Sequence, residues 1–146
     1  MVAASIGELV PVLQTAISPV ILISGLGLLI LAMTNRLGRT IDRARELVAE
    51  AGASTVEALQ RREAQLAILW RRARLIRLAI ILASGSALCA AFLIIALFLS
   101  VLFGLNAVWF IVALFVACLL MLVASLITFI REVNESLAAL KLELKL

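Results

Sequence analysis

Two long tracts of this chain carry no charge at all. One runs from Leu9 to Asn35 and the other from Leu78 to Ile130. About 20 consecutive apolar residues carry a helix across the hydrocarbon core of a bilayer. The first tract therefore holds one crossing, and the second holds two if the chain reverses inside it. With 65% of its 146 residues hydrophobic and a mean hydropathy of +1.22, the chain is too oily for a soluble core. A soluble domain is closer to half apolar. The fold expected is an all-α integral membrane protein with three transmembrane helices, forming a single membrane domain over 1–146.

The reversal is expected at Phe103-Gly104-Leu105-Asn106-Ala107, the Gly/Asn cluster near the middle of the second tract. Both residues tolerate the left-handed backbone of a tight turn. Trp109, just beyond it, suits a membrane–water interface. The spans are placed at about 18–34, 78–103 and 105–130, the last two as an antiparallel pair. Residues 131–146 form a tail. Ten of the eleven arginines lie between Arg36 and Arg77 and none in the turn. By the positive-inside rule residues 35–77 are cytoplasmic, the N-terminus is outside and the C-terminus inside. Met1 to Glu8 contains no Lys or Arg, so it lacks the basic start of a signal peptide.

The tract from Leu9 to Asn35, at 1.5 Å per residue, is roughly 40 Å long against a core of about 30 Å. Proline removes a helix hydrogen bond and restricts its predecessor. Ser18-Pro19 is thus expected to interrupt the helix, leaving a short interfacial or re-entrant segment before the crossing. Ser5 with Glu8, and Ser54 with Glu57, have capping-box spacing. Gly52 suits the residue after a helix end. The stretch 35–77 then reads as a cytoplasmic antiparallel helical hairpin. Leu37, Ile41, Ala44, Val48 and Ala51 have the alternating spacing of a coiled-coil seam. Leu59, Leu66, Ala73, Leu69 and Ile76 answer on the return helix, with Arg62 intruding. In the tail, Val133, Leu137, Leu140 and Leu144 share a helical face, although the final residues also alternate with period two. A helix extending the third span is expected.

Nothing supports catalysis. The chain has no His and no Tyr, Asp42 is its one Asp, and no P-loop, nucleophile elbow or H-E-x-x-H pattern occurs. The expectation is no enzyme, no cofactor and no metal. Cys89 and Cys118 are too isolated for metal spacing and are read as small packing residues. The arginines flank membrane spans rather than forming a groove-reading face, so nucleic acid is not an expected partner.

Three features carry the functional reading. First, Gln14, Ser18, Gly25, Ala32, Arg36, Arg39 and Arg43 share one face of the first helix, with Glu8 near its outer end. In an oligomer this stripe could line an ion pore, because rings of like charge select ions by sign. The plainer reading is close helix packing by small residues plus arginines at lipid headgroups. Second, Arg71, Arg72, Arg74 and Arg77 flank the second span and are candidates for contact with membrane lipid or a cytoplasmic protein partner. Asp42, Glu46, Glu50 and Glu63 lie within helical reach of arginines and partly neutralise them. Third, Ala83, Ala87 and Ala91, and Ala113 with Ala117, are spaced for close helix approach. Three thin spans make a poor solitary bundle, so a homo-oligomer is expected. An ion channel lined by helix one leads, and a non-conducting scaffold or adaptor with an arginine-rich stalk is the alternative.

The run Ile17-Ser18-Pro19-Val20-Ile21-Leu22-Ile23-Ser24-Gly25-Leu26-Gly27-Leu28-Leu29, with Thr34-Asn35-Arg36-Leu37-Gly38-Arg39 and Asp42-Arg43-Ala44-Arg45, resembles a bacterial membrane family catalogued as domain of unknown function 2721. The resemblance covers most of the chain. It implies a small multispan protein of the bacterial inner membrane and no activity. It directs attention to Ser18, Pro19, Asn35, Arg36, Arg39, Asp42 and Arg43. By architecture alone, an outer Glu, an apolar middle and a basic extension also look like the pore helix of calcium release-activated channels. An analogy at that level does not carry function.

Overall fold

The computed structural model describes residues 6–49, 56–104 and 106–143. Three long helices make up this part of the chain: α1 (Ile6–Ala49), α2 (Val56–Phe103) and α3 (Val108–Glu143). Each contains a stretch long and apolar enough to cross a membrane, within Leu13–Ala49, Arg62–Phe103 and Val108–Leu137. The tail is helical as far as Glu143 and continues α3. The capping pair at Ser54, the helix-ending role of Gly52, Ala51 of the expected seam and the cap at Ser5 fall outside the described residues.

Ser18-Pro19 does not divide α1. The helix runs through both Pro11 and Pro19. Proline at 19 removes the donor that would reach the Thr15 carbonyl. A donor missing at each proline does not end a helix of 44 residues. Nearby hydroxyls also turn back onto the helix: Thr15 Oγ1 donates to the Pro11 carbonyl at 2.9 Å and Ser24 Oγ to that of Val20 at 3.2 Å. The separate interfacial segment expected before Ser18 is therefore part of one helix.

The reversal between α2 and α3 lies where the Gly/Asn cluster placed it. Gly104 has φ of 61°, in the left-handed region that costs glycine nothing. The Ile111 amide closes the first turn of α3 onto the Ala107 carbonyl at 3.0 Å. Phe103, Trp109 and Phe110 around the turn are all exposed, as an aromatic belt at an interface would be.

The helices contribute to two compact units. The first combines α1 up to Ile30 with Leu82–Ala124, and the second combines Leu31–Ile81 with the chain from Ser125 onward. In the first, Ala83, Ser86, Ala90 and Leu93 of α2 are buried, with Leu26 of α1 and Cys118 of α3. Small side chains let the backbones of α2 and α3 come close enough for reciprocal bonding. Ser86 Oγ donates to the Cys118 carbonyl at 2.9 Å, and Cys118 Sγ lies 3.4 Å from the Ser86 carbonyl. Cys89 faces the Met121 sulfur at 3.9 Å, and both cysteines are free thiols. Gly85 faces the same Met121, whose flexible terminal methyl lies where a Cβ at 85 would stand.

The second unit buries Met33, Thr40 and Leu47 of α1, Ile76 and Ala79 of α2, and Ser125 and Glu132 of α3. Ser125 Oγ donates to the Ala79 carbonyl at 2.7 Å. Arg72 meets Glu132 and Arg71 meets Glu135. As numbers fall along α2 they rise along α3, so the two helices are antiparallel here.

Buried positions repeat every seven residues on α1 (Leu26, Met33, Thr40, Leu47) and on α3 (Cys118, Ser125, Glu132). On α2 they alternate by threes and fours from Ile76 to Leu93. This is the periodicity of knobs-into-holes packing. It keeps Ile76 of the expected seam but not the positions on α1. Ile41 and Val48 are exposed, and Leu37 and Ala44 only half-buried. Those residues border an open groove of about 680 Å³ shared with Leu66, Leu69, Trp70 and Ala73. Sequence periodicity had weighed only the pairing of α1 with α2, while the buried register is set by α3 as well. The alanine spacing was likewise half right. Ala83 is fully buried, Ala87 and Ala91 are intermediate, and Ala113 is exposed.

Replacing Ala83 with Leu should therefore overpack α2 and cost about 1–3 kcal/mol. Ala113→Leu should leave stability nearly unchanged. Thermal unfolding of the two variants in detergent checks this, and equal effects would contradict the assigned faces.

Candidate functional site: an arginine cluster around a buried carboxylate

Glu132 is the fully buried acid among the described residues, with no side-chain surface exposed. It stands seven residues after Ser125 and fourteen after Cys118, on the buried face of α3. An ionised carboxylate removed from water costs several kcal/mol unless opposite charge and donors replace the lost hydration. Two guanidiniums do so, one from each of the other helices. Arg72 Nε of α2 donates to Glu132 Oε1 at 3.3 Å. Arg36 Nε of α1 lies 3.0 Å from Oε2. The Arg36 N–H is not aimed at that oxygen, so charge rather than a formed hydrogen bond holds it, and Oε2 has no aligned donor. The Arg36 guanidinium also lies 5.6 Å from the Phe129 ring centroid, one turn earlier on α3. That contact adds cation–π attraction where water is partly excluded. Thr40, one turn beyond Arg36, is buried with its hydroxyl donating to the Arg36 carbonyl at 3.0 Å.

Around this centre the other charges are more exposed. Arg71 meets Glu135 at 3.0 Å, Arg43 meets Glu46 at 3.0 Å, and Arg45 lies 3.9 Å from Asp42. Pairs this wet contribute little to stability. Among the described residues, Arg39, Arg74 and Arg77 have no carboxylate within ion-pair distance. All three are exposed. Arg74 and Arg77 join Arg45 at the apolar groove, whereas Arg36, Arg39, Arg43 and Arg72 surround a smaller cavity of about 320 Å³.

The residues singled out in the sequence thus separate. Gln14, Ser18, Gly25, Ala32, Arg39 and Arg43 are exposed. Arg36 leaves the stripe and turns to Glu132. Glu8 lies in α1, with its side chain outside the described residues. Of the flanking group, Arg71, Arg74 and Arg77 are exposed, but Arg72 is spent on the buried carboxylate. Sequence reasoning looked for partners of the arginines among the acids of their own segment. Glu132 lies 60 residues from Arg72 and was missed. Its signal was present, since it falls in register with small residues of α3 just where the uncharged tract ends.

Removing the Glu132 charge leaves two arginines facing each other around an empty partner. Breaking a buried pair from one side costs about 3–5 kcal/mol. Arg36 and Arg72 keep 31% and 21% of their side-chain surface in contact with solvent, which screens part of that loss. Glu132→Gln is therefore expected to destabilise by about 2 kcal/mol, and Glu135→Gln by less than about 0.5 kcal/mol. Chemical unfolding of both variants in the same detergent tests the ranking, and a larger effect at Glu135 would refute it.

Neither the curated proteins nor the solved structures offer a match to this chain. A protein family described as being of unknown function, DUF2721, matches it over residues 16–142. That range takes in most of the first membrane-length stretch, all of the other two, both arginines of the buried ion pairs and Glu132 itself. The chain belongs to the DUF2721 family.

Proposed function

We propose that this chain is a three-span protein of the bacterial inner membrane that works as a non-conducting scaffold or adaptor, binding anionic lipid through its arginine-rich segment. In this reading it is a homo-oligomer and not an enzyme. Its N-terminus is outside and its C-terminus in the cytoplasm. Residues 35–77 form a cytoplasmic helical hairpin, at whose surface a protein partner could also dock. The observation that carries it is that, among the described residues of this segment, the exposed Arg39, Arg74 and Arg77 have no carboxylate in reach. Each basic residue near an anionic leaflet adds about 1 kcal/mol of attraction. Arginine also offers a planar fork of donors suited to phosphate.

One observation favours a second reading, an ion channel lined by helix one. Gln14, Ser18, Gly25, Ala32, Arg39 and Arg43 are all exposed, so another copy of the chain could face them. The loss of Arg36 to Glu132 weakens the ring of charge that such a pore would use.

Ion flux from liposomes holding the purified oligomer separates the two, with Arg39→Glu beside the wild type. The scaffold reading predicts no flux above empty liposomes across several ions and voltages. It also predicts that anionic lipid retained through purification falls in an Arg74→Gln, Arg77→Gln double variant. Flux whose anion/cation preference shifts in Arg39→Glu would replace it with the channel.

A further inference from the structure

The cavity lined by Arg36, Arg39, Thr40, Arg43, Leu69 and Arg72 has the composition of an anion site. We infer that it binds a single phosphate group. This deepens the scaffold reading and depends on it only for placing the segment at a membrane face.

The charge balance comes first. Four guanidiniums from two helices border the cavity. Two carboxylates offset them, Glu132 against Arg36 and Arg72, and Glu46 against Arg43. Four positive charges less two leave two, and Arg39 has no ion-pair partner among the described residues. A doubly charged phosphate neutralises that remainder, and a singly charged phosphodiester neutralises half of it.

Donor geometry points the same way. A guanidinium carries five N–H donors. Glu132 engages both Arg36 and Arg72 through Nε, which leaves their terminal nitrogens uncommitted to it. The buried acid fixes Arg72 by the stem side of its head through a hydrogen bond and holds Arg36 beside it by charge. Arginine binds phosphate by paired, charge-assisted bonds, stronger than neutral ones. Leu69 supplies an apolar wall and Thr40 is almost fully buried beneath the charges, while Arg39 and Arg43 lie on the solvent side of this open depression. A cavity of about 320 Å³ is at the lower end of small-ligand sites, which span about 300–1,000 Å³, and suits a headgroup rather than a large cofactor.

The phosphate could belong to an anionic lipid or arrive free in solution, and the chemistry of recognition is shared. Arg36 is the first charged residue after the tract ending at Asn35, which sets the cavity at headgroup depth if that tract spans the membrane.

The test uses the full-length purified oligomer. Binding of inorganic phosphate is measured by titration calorimetry in detergent, and binding of phosphatidylglycerol by native mass spectrometry from nanodiscs, with phosphatidylcholine as the comparison. Arg39→Gln and Arg43→Gln alter the cavity without touching Glu132. Arg45→Gln and Arg71→Gln remove arginines that do not line it and that already pair with Asp42 and Glu135. Circular dichroism confirms that each variant is folded. The expected result is at least tenfold weaker binding in both cavity variants, the scale of one lost hydrogen bond to a charged group. The two controls should stay within about twofold. Saturable binding of inorganic phosphate would identify a soluble ligand, and saturable binding of phosphatidylglycerol alone would identify the headgroup. Equal loss across all four variants would reduce the cavity to general electrostatic attraction and overturn the site. Absence of saturable binding in either arm would overturn it as well. If phosphate binds but the anionic-lipid preference is missing, the site stands and the scaffold reading falls.

Discussion

A carboxylate with no solvent contact, held between guanidiniums from two other helices, organises the second compact unit. Arg36 and Arg72 bring opposite charge to this buried carboxylate, and neither arginine has a comparable partner on its own helix. Their convergence fixes which side of α1 and of α2 faces α3. Thr40 and Leu47 follow Arg36 on the buried side of α1, and Ile76 and Ala79 follow Arg72 on that of α2. Arg39, Arg43, Arg45, Arg71, Arg74 and Arg77 are then turned outward, where they are exposed. A single ionic node thus couples packing to the surface chemistry on which the functional reading depends.

The first unit relies on different physics. Its contacts are between small residues, with hydroxyl and thiol bonded to the backbone of the neighbouring helix. Lipid solvates apolar side chains as well as another helix does, so large side chains give little reason for helices to associate in a membrane. Close approach at Ala83 and Ser86 supplies dispersion and buried hydrogen bonds instead. Many large apolar residues are correspondingly left on the outside, including Leu28, Phe92 and Phe115.

Much of the fold was legible because it follows from one-dimensional constraints. An uncharged tract of sufficient length, a Gly/Asn cluster and an arginine-rich connection are properties of segments, and the three helices and the Gly104 turn follow from them. Membership of the family was legible from the Ser18-Pro19 to Arg45 block. Three-body features were not. The coiled-coil seam was drawn from the apolar repeat Leu37, Ile41, Ala44 and Val48, yet α3 draws the neighbouring positions inward instead. Ser18-Pro19 does not break α1, because a long helix can carry the missing donors of its two prolines. Glu132 was hidden because pairing across 60 residues leaves no local pattern. Only its heptad register with Ser125 and Cys118 marks it as a core position.

The central claim is that Glu132 couples α1 to α3 through Arg36, and a double-mutant cycle addresses it directly. Unfolding free energies would be measured in one detergent for the wild type, Glu132→Gln, Arg36→Gln and the double variant. Residues in one ionic network show interaction energies of about 0.5–3 kcal/mol, whereas independent sites add to within about 0.5 kcal/mol. The structure predicts a coupling above about 1 kcal/mol, with the double variant less destabilised than the two single losses combined. Simple additivity would mean that the two charges do not meet in the folded protein, and the node would lose its place as the organising contact.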